Sequence, residues 1–144
     1  MRDTDESLRS AASRGQLDEV CKLVKRGADV TSADQQQQHT PLHLAAIDGH
    51  TQMVRTLVDL GADMCARDNS RRTALHLAAE KGHIETVKSL VELGADMRAR
   101  DRSERTALHL AAYNRHAETV KALGELGADT CARDACGDTA LRWS

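Results

Sequence analysis

The chain has 144 residues, with 20 Lys and Arg against 22 Asp and Glu, for a formal charge of −2. One Tyr, one Trp, no Phe and 22 Ala leave small and aliphatic side chains to build a core, which argues against a sandwich or barrel and for helices packed closely over Ala faces. The near-neutral balance argues against a dedicated nucleic-acid binder, and no run of about 18 apolar residues marks a membrane span or a leader.

These features predict a soluble chain of the cytoplasm or nucleus. Cys21, Cys65, Cys131 and Cys136 include no C-x-x-C pair, so reduced, isolated thiols are expected, with no metal and no cofactor.

Thr40-Pro41-Leu42-His43-Leu44-Ala45-Ala46 recurs from Thr73 and from Thr106, at steps of 33, and Thr139-Ala140-Leu141 starts a fourth copy. Gly-Ala-Asp recurs at Gly27, Gly61, Gly94 and Gly127, so a first unit without the threonine signature precedes the others. That unit begins near Glu6 and carries Ala11-Ala12 in register. The step from Gly27 to Gly61 is one residue longer, and the extra residue falls at Gln35 to Gln38, a polar stretch expected in a surface turn.

In the second unit Thr40 is placed to cap a helix of about ten residues, Pro41 suits its first turn, and Gly49 suits a left-handed stop. A second helix is predicted over Thr51 to Leu60, with Met53, Val54, Leu57 and Val58 on one face, ended by Gly61. Residues 61 to 72 show no periodicity. One unit of 33 residues cannot bury its apolar face alone, so neighbouring units must stack.

The period and the Thr-Pro-Leu-His-x-Ala segment resemble the ankyrin repeat family. Gly49-His50, Gly82-His83, the valines Val54, Val87 and Val120, and the Gly-Ala-Asp trios resemble it as well. The resemblance covers residues 6 to 144 and implies an all-α solenoid of helix-turn-helix units joined by hairpin-like loops. It divides one domain, 1–144, into a degenerate repeat at 6–38, full repeats at 39–67, 68–100 and 101–133, and a truncated repeat at 134–144. Three departures stand out. Arg71 and Glu104 replace the usual fingertip Gly, which predicts less regular hairpin tips. Arg115 replaces the Gly between helices, and Gly124 replaces Val58 and Val91, with the expected loss of a buried aliphatic side chain.

His43, His76 and His109 form one register and His50, His83 and His116 another. One period corresponds to about 10 Å in a stack, too far to share a metal, so both are read as structural. By the resemblance, the His of the threonine signature bonds locally and ties neighbouring repeats. No nucleophile elbow, phosphate loop or paired-carboxylate site is visible, and no enzymatic activity is expected.

The remaining candidates lie at variable positions. By the resemblance, the hairpin tips and the pairs Ile47-Asp48, Glu80-Lys81 and Tyr113-Asn114 line a concave face that binds a protein or peptide partner. Arg67, Arg100 and Arg133 form a column with one guanidinium per repeat. Its alternatives are capture of acidic groups on a partner or simple neutralisation of the Asp that follows each Arg. Arg71, Arg72, Arg102 and Arg105 add an alternative reading, nucleic-acid or anionic-surface binding, against which the interleaved Asp68, Asp101, Glu104 and Asp134 count. An engineered binder of the same architecture is a further alternative, opposed by the Gln insertion, Arg115 and Gly124. A monomer is expected.

Overall fold

The computed structural model describes the backbone of residues 2–139 and side chains from Thr4 onward. Four helix pairs follow one another: α1 (Arg2–Arg14) with α2 (Leu17–Lys25), α3 (Pro41–Ile47) with α4 (Thr51–Asp59), α5 (Ala74–Lys81) with α6 (Ile84–Glu92), and α7 (Ala107–Tyr113) with α8 (Ala117–Glu125). Helices α1, α3, α5 and α7 pack side by side as an inner row, and α4, α6 and α8 as an outer row. Helix α1 starts at Arg2, before the expected Glu6, and α3 is 7 residues long, shorter than expected. Of the fourth copy of the signature, Ala140 and Leu141 lie outside the described residues. Among the described residues no helix is long and apolar enough to cross a membrane.

The inner row packs on alanine, as composition demanded. Ala11-Ala12, Ala45-Ala46, Ala78-Ala79 and Ala111-Ala112 are all buried, and Leu8, Leu42, Leu75 and Leu108 fill the layer beside them. Small side chains let the short helices approach closely, and each unit completes the core of its neighbour.

Each later inner helix opens with a reciprocal cap. The Oγ1 of Thr40 accepts the His43 backbone N–H, and Nδ1 of His43 accepts the Thr40 backbone N–H at 3.1 Å. Thr73 with His76 and Thr106 with His109 repeat this arrangement. The far ring nitrogens reach into the next unit: Nε2 of His43, His76 and His109 lies 3.0, 2.9 and 3.0 Å from the carbonyls of Arg72, Arg105 and Asp138. A carbonyl only accepts and a backbone N–H only donates, so each ring is neutral and carries its proton on Nε2. The second histidine register reaches backwards, with Nε2 of His50, His83 and His116 donating at 2.8 Å to the carbonyls of Ser13, Ile47 and Glu80.

Those three rings also explain the glycines before the outer helices. Gly49 and Gly82 have φ of 71° and 76°, and a Cβ added there would lie 2.7 and 2.6 Å from Nδ1 of His83 and His116. His116 is the last ring of the column, so Arg115 meets the conformational demand alone, at φ 62°.

Two sequence expectations need correction. The hairpin tips are regular although Arg71 and Glu104 replace Gly. Gln38, Arg71, Glu104 and Gly137 all adopt a left-handed φ between 60° and 82°, and Arg71, Glu104 and Gly137 each donate a backbone N–H to the carbonyl of Asp68, Asp101 and Asp134. The turn overrides the residue preference, at about 1 kcal/mol for each non-glycine. Gly124 does not forfeit a buried side chain, because it is exposed and an added Cβ meets nothing within 4 Å. Val58 and Val91 are half-buried against the core, whereas among the described residues no further helix covers α8. The cost of Gly124 is therefore its poor helix propensity, about 1 kcal/mol.

Two stability predictions follow from this geometry. Burial holds the His43 and His76 imidazoles below the usual 6.5, against the opposing pull of the Arg72 and Arg105 carbonyls. The unfolded chain therefore takes up the proton more readily, so stability is full above about pH 6.5 and declines as pH falls below it. The urea midpoint should drop between about pH 7.5 and 5.5, with a smaller slope in His76→Gln. Gly82→Ala should cost about 2 kcal/mol or more in urea unfolding, from a left-handed Ala plus collision with the His116 ring, whereas Arg115→Gly should gain about 0.5 kcal/mol.

Candidate functional site

The hairpins that carry the candidate residues are shaped by aspartate. In each, one carboxylate oxygen accepts two backbone N–H groups of its own turn: Asp68 from Ser70 and Arg72, Asp101 from Ser103 and Arg105, Asp134 from Cys136 and Asp138, all at 2.8 to 2.9 Å. Asp34 does the same with Gln37 at 2.8 Å and His39 at 3.4 Å, and the extra glutamine of the first loop fits inside that turn. Burial pushes the Asp34 and Asp134 carboxyls up, but these amides outweigh it and leave both below the ordinary value of 3.8. Asp101 and Asp134 are 5% and 8% exposed, so of the acids that sequence reasoning set against the arginines these two are buried, whereas Glu104 is exposed. The Asp of each Gly-Ala-Asp trio caps a second turn by accepting the N–H two residues on, in Thr31, Cys65, Arg98 and Cys131.

The arginine column is built into the stack. Nη1 of Arg67 donates to the Arg71 carbonyl at 2.9 Å and to the Arg100 carbonyl of the next hairpin, and Nη1 of Arg100 donates to the Glu104 and Arg133 carbonyls. Among the described residues no ion pair within 4 Å joins Arg67, Arg100 or Arg133 to the Asp that follows it. Arg67, Arg71 and Arg100, with Asp96, Arg98 and Glu104, line an open cavity of 530 Å³ on one side of the hairpins. Arg133 continues the column one repeat on, where its backbone pairs with Thr139 in an isolated antiparallel bridge.

Alternation along an extended stem turns the neighbouring residues to the other side. There the hairpins and inner helices enclose a groove of 280 Å³, with Ile47 and Leu77 as apolar surface, Gln37, Asn69 and Ser70 at the rim, and Arg72, Glu80 and Lys81 along the wall. Arg72 pairs with Glu80 at 2.7 Å, and its Nε lies 3.9 Å from Asp101. His39 occupies the matching place one repeat earlier, with Nε2 3.2 Å from Asp68. One repeat later the Arg105 guanidinium lies 4.9 Å from the ring centroid of Tyr113, which is 50% exposed. Two inter-hairpin contacts hold the rim: the Asn69 N–H donates to the Gln37 carbonyl at 3.0 Å and the Arg102 N–H to the Ser70 carbonyl at 2.9 Å.

The candidates thus divide. Ile47, Arg72, Glu80 and Lys81 meet in the groove, and Arg105 and Tyr113 continue its line. Arg67, Arg71 and Arg100 stand on the other side of the hairpins. Arg102 lies at a tip, where Nη2 donates to the Asn69 carbonyl at 2.6 Å. Asp48 accepts the Ser13 hydroxyl at 2.9 Å, and the Asn114 side chain donates to the Leu110 carbonyl at 2.8 Å. Sequence reasoning missed His39 and Leu77. His39 was findable, because it precedes Thr40 as Arg72 precedes Thr73 and Arg105 precedes Thr106. Among the described residues no group of three or more His, Cys, Asp or Glu converges to hold a metal, and the four cysteines are free thiols.

Stacked helix pairs, capped by threonine and histidine and joined by aspartate-closed hairpins, define a repeat solenoid. Profiles of ankyrin repeats match residues 8–101, as three copies, and residues 90–142. The chain belongs to the ankyrin repeat family. It is similar to human protein phosphatase 1 regulatory subunit 27, 42% identical over 63 residues, which are 44% of this chain and 40% of that protein. Mouse ankyrin repeat domain-containing protein 40 is 42% identical over 62 residues, 43% of this chain and 17% of that protein. Bovine ankyrin repeat domain-containing protein 49 is 35% identical over 65 residues, 45% and 27% of the two chains. The matches thus span less than half of these relatives.

Because Arg100 bridges two hairpins through carbonyls, Arg100→Ala should lower stability by about 1 kcal/mol in urea unfolding, more than the loss of an ordinary surface ion pair. Glu104→Gln, which leaves the Glu104 backbone carbonyl in place, should change stability by less than about 0.5 kcal/mol.

Proposed function

We propose that the chain is a non-catalytic interaction module of the cytoplasm or nucleus that docks an extended protein segment in the groove between its hairpins and inner helices. The observation that carries this reading is the convergence of variable residues on one surface. Ile47, Arg72, Glu80 and Lys81 sit together there, while the repeated residues around them are spent on holding the stack. A rigid, preformed groove binds without a large ordering cost. Similarity to a protein named as a phosphatase regulatory subunit supports a protein as the partner class.

A second reading has one observation in its favour. Arg67 and Arg100 are pinned by neutral carbonyls and, with Arg71 and Arg98, outnumber the exposed Asp96 and Glu104 beside them, which leaves net positive charge on the other side of the hairpins for an anionic polymer.

Selection of phage-displayed random peptides of roughly twelve residues on the full chain, followed by chemical-shift mapping of a recovered peptide, separates the two readings. The groove reading expects shifts at Leu77, Glu80 and Tyr113 with Arg98 and Arg100 unmoved. Failure to recover any peptide would contradict it, as would shifts confined to Arg98 and Arg100 or steeply salt-dependent binding of a single-stranded oligonucleotide.

A further inference from the structure

One residue directly precedes the threonine of each signature and one directly follows its Ala-Ala, so the groove and its continuation present three equivalent pairs in a row: His39 with Ile47, Arg72 with Glu80, and Arg105 with Tyr113. The pairs differ in charge balance. His39 faces the Asp68 carboxylate at 3.2 Å, next to the apolar surface of Ile47 and Leu77. Arg72 is matched by Glu80 at 2.7 Å and Asp101 at 3.9 Å. Arg105 lies against an aromatic face, and among the described residues it has no carboxylate within 4 Å. Asp134, its counterpart to Asp101, feels its charge but forms no ion pair with it within 4 Å.

A ring face orients a guanidinium without neutralising it. The row therefore runs from an apolar end at the half-buried Ile47, past a pair closed on itself, to Arg105, a cation with no carboxylate within 4 Å among the described residues. We infer that this gradient selects an extended protein segment with an aliphatic side chain at the Ile47 end and a carboxylate at Arg105, and that it sets the direction and register of that segment. The inference rests on the groove reading above and names the chemistry of its partner.

Spacing fixes the pattern. Two repeats at about 10 Å each separate the two ends, and an extended chain rises about 3.3 Å per residue, so the aliphatic and acidic positions lie about six residues apart. Arg105 can take the carboxylate bidentately, with the half-exposed Tyr113 ring excluding water on one side. Between them Arg72 is closed on Glu80, and Lys81 is the further cation on the groove wall, one repeat short of the Arg105 position.

The test uses the phage-displayed library on the full chain and again on Arg105→Glu, with Arg67→Gln as a control outside the groove and thermal melts to confirm folding. Peptides from the unmodified chain should carry Asp or Glu five to seven positions from Leu, Ile, Val or Met, as the estimate of about six residues requires. They should bind Arg105→Glu at least about tenfold more weakly and Arg67→Gln within about twofold. Reselection on Arg105→Glu should replace the acidic position by Lys or Arg. Groove-bound peptides without that acidic position, or affinity unchanged in Arg105→Glu, would overturn the inference and leave the groove reading standing. Peptides that map outside the groove would overturn both.

Discussion

The stack depends on N–H donors that cross from one repeat to the next and end on backbone carbonyls. Short helices of 7 to 9 residues, such as α3 and α4, leave many carbonyls without an intrahelical partner. Two histidine columns run in opposite directions, one reaching back to such helix-end carbonyls and the other forward to carbonyls of the next hairpin. His76 reaches forward to Arg105 and His116 reaches back to Glu80. The arginines of the hairpins add a third tie, and the tip amides a fourth. Each tie is made only when a neighbour is in register, so the hydrogen bonds specify the stacking that alanine burial alone would leave free to slide.

This arrangement determines which residues are left for recognition. Asp68, Asp101 and Asp134 are consumed in closing turns, the histidines in joining repeats, and Arg67 and Arg100 in bridging hairpins. What remains variable is the line from Ile47 through Glu80 to Tyr113 and the residues that face it. A surface whose backbone is fixed by repeated contacts can change its side chains there at little cost to the fold. On the proposed groove reading, differences among the three equivalent pairs carry the information about a partner, whereas the repeated residues around them hold the stack.

Much of the architecture was legible in the sequence because it follows from local rules repeated in register. The Thr40 cap with His43, the Ala45-Ala46 face and the left-handed Gly49 each have a short-range signal. The direction of a side chain on a hairpin does not. Arg67 and Arg72 are five residues apart, and only the aspartate-closed turn between them places one with the outer cavity and the other in the groove. Asp101 looked like a surface countercharge because its partners are backbone amides, which no residue pattern displays. Gly124 looked like a hole in the core because Val58 and Val91 occupy its register. Burial at that place depends on what packs over the outer helix, and that is a property of the neighbour. The place of His39 is legible, since it directly precedes Thr40 as Arg72 and Arg105 precede Thr73 and Thr106, but its contact with Asp68, 29 residues on, is not.

The central claim, that neutral imidazoles donate from Nε2 across each repeat boundary, can be read directly by long-range nitrogen NMR of the histidine rings near neutral pH. The structure predicts that His43, His76 and His109 show a protonated Nε2 and an unprotonated Nδ1, with an Nε2–H signal slow enough in exchange to be seen. His50, His83 and His116 should likewise carry a proton on Nε2. Protonation of Nδ1 in the buried register, or averaging between tautomers as in a free imidazole, would mean that the carbonyls of Arg72, Arg105 and Asp138 are held by something else, and the account of the stack would fail.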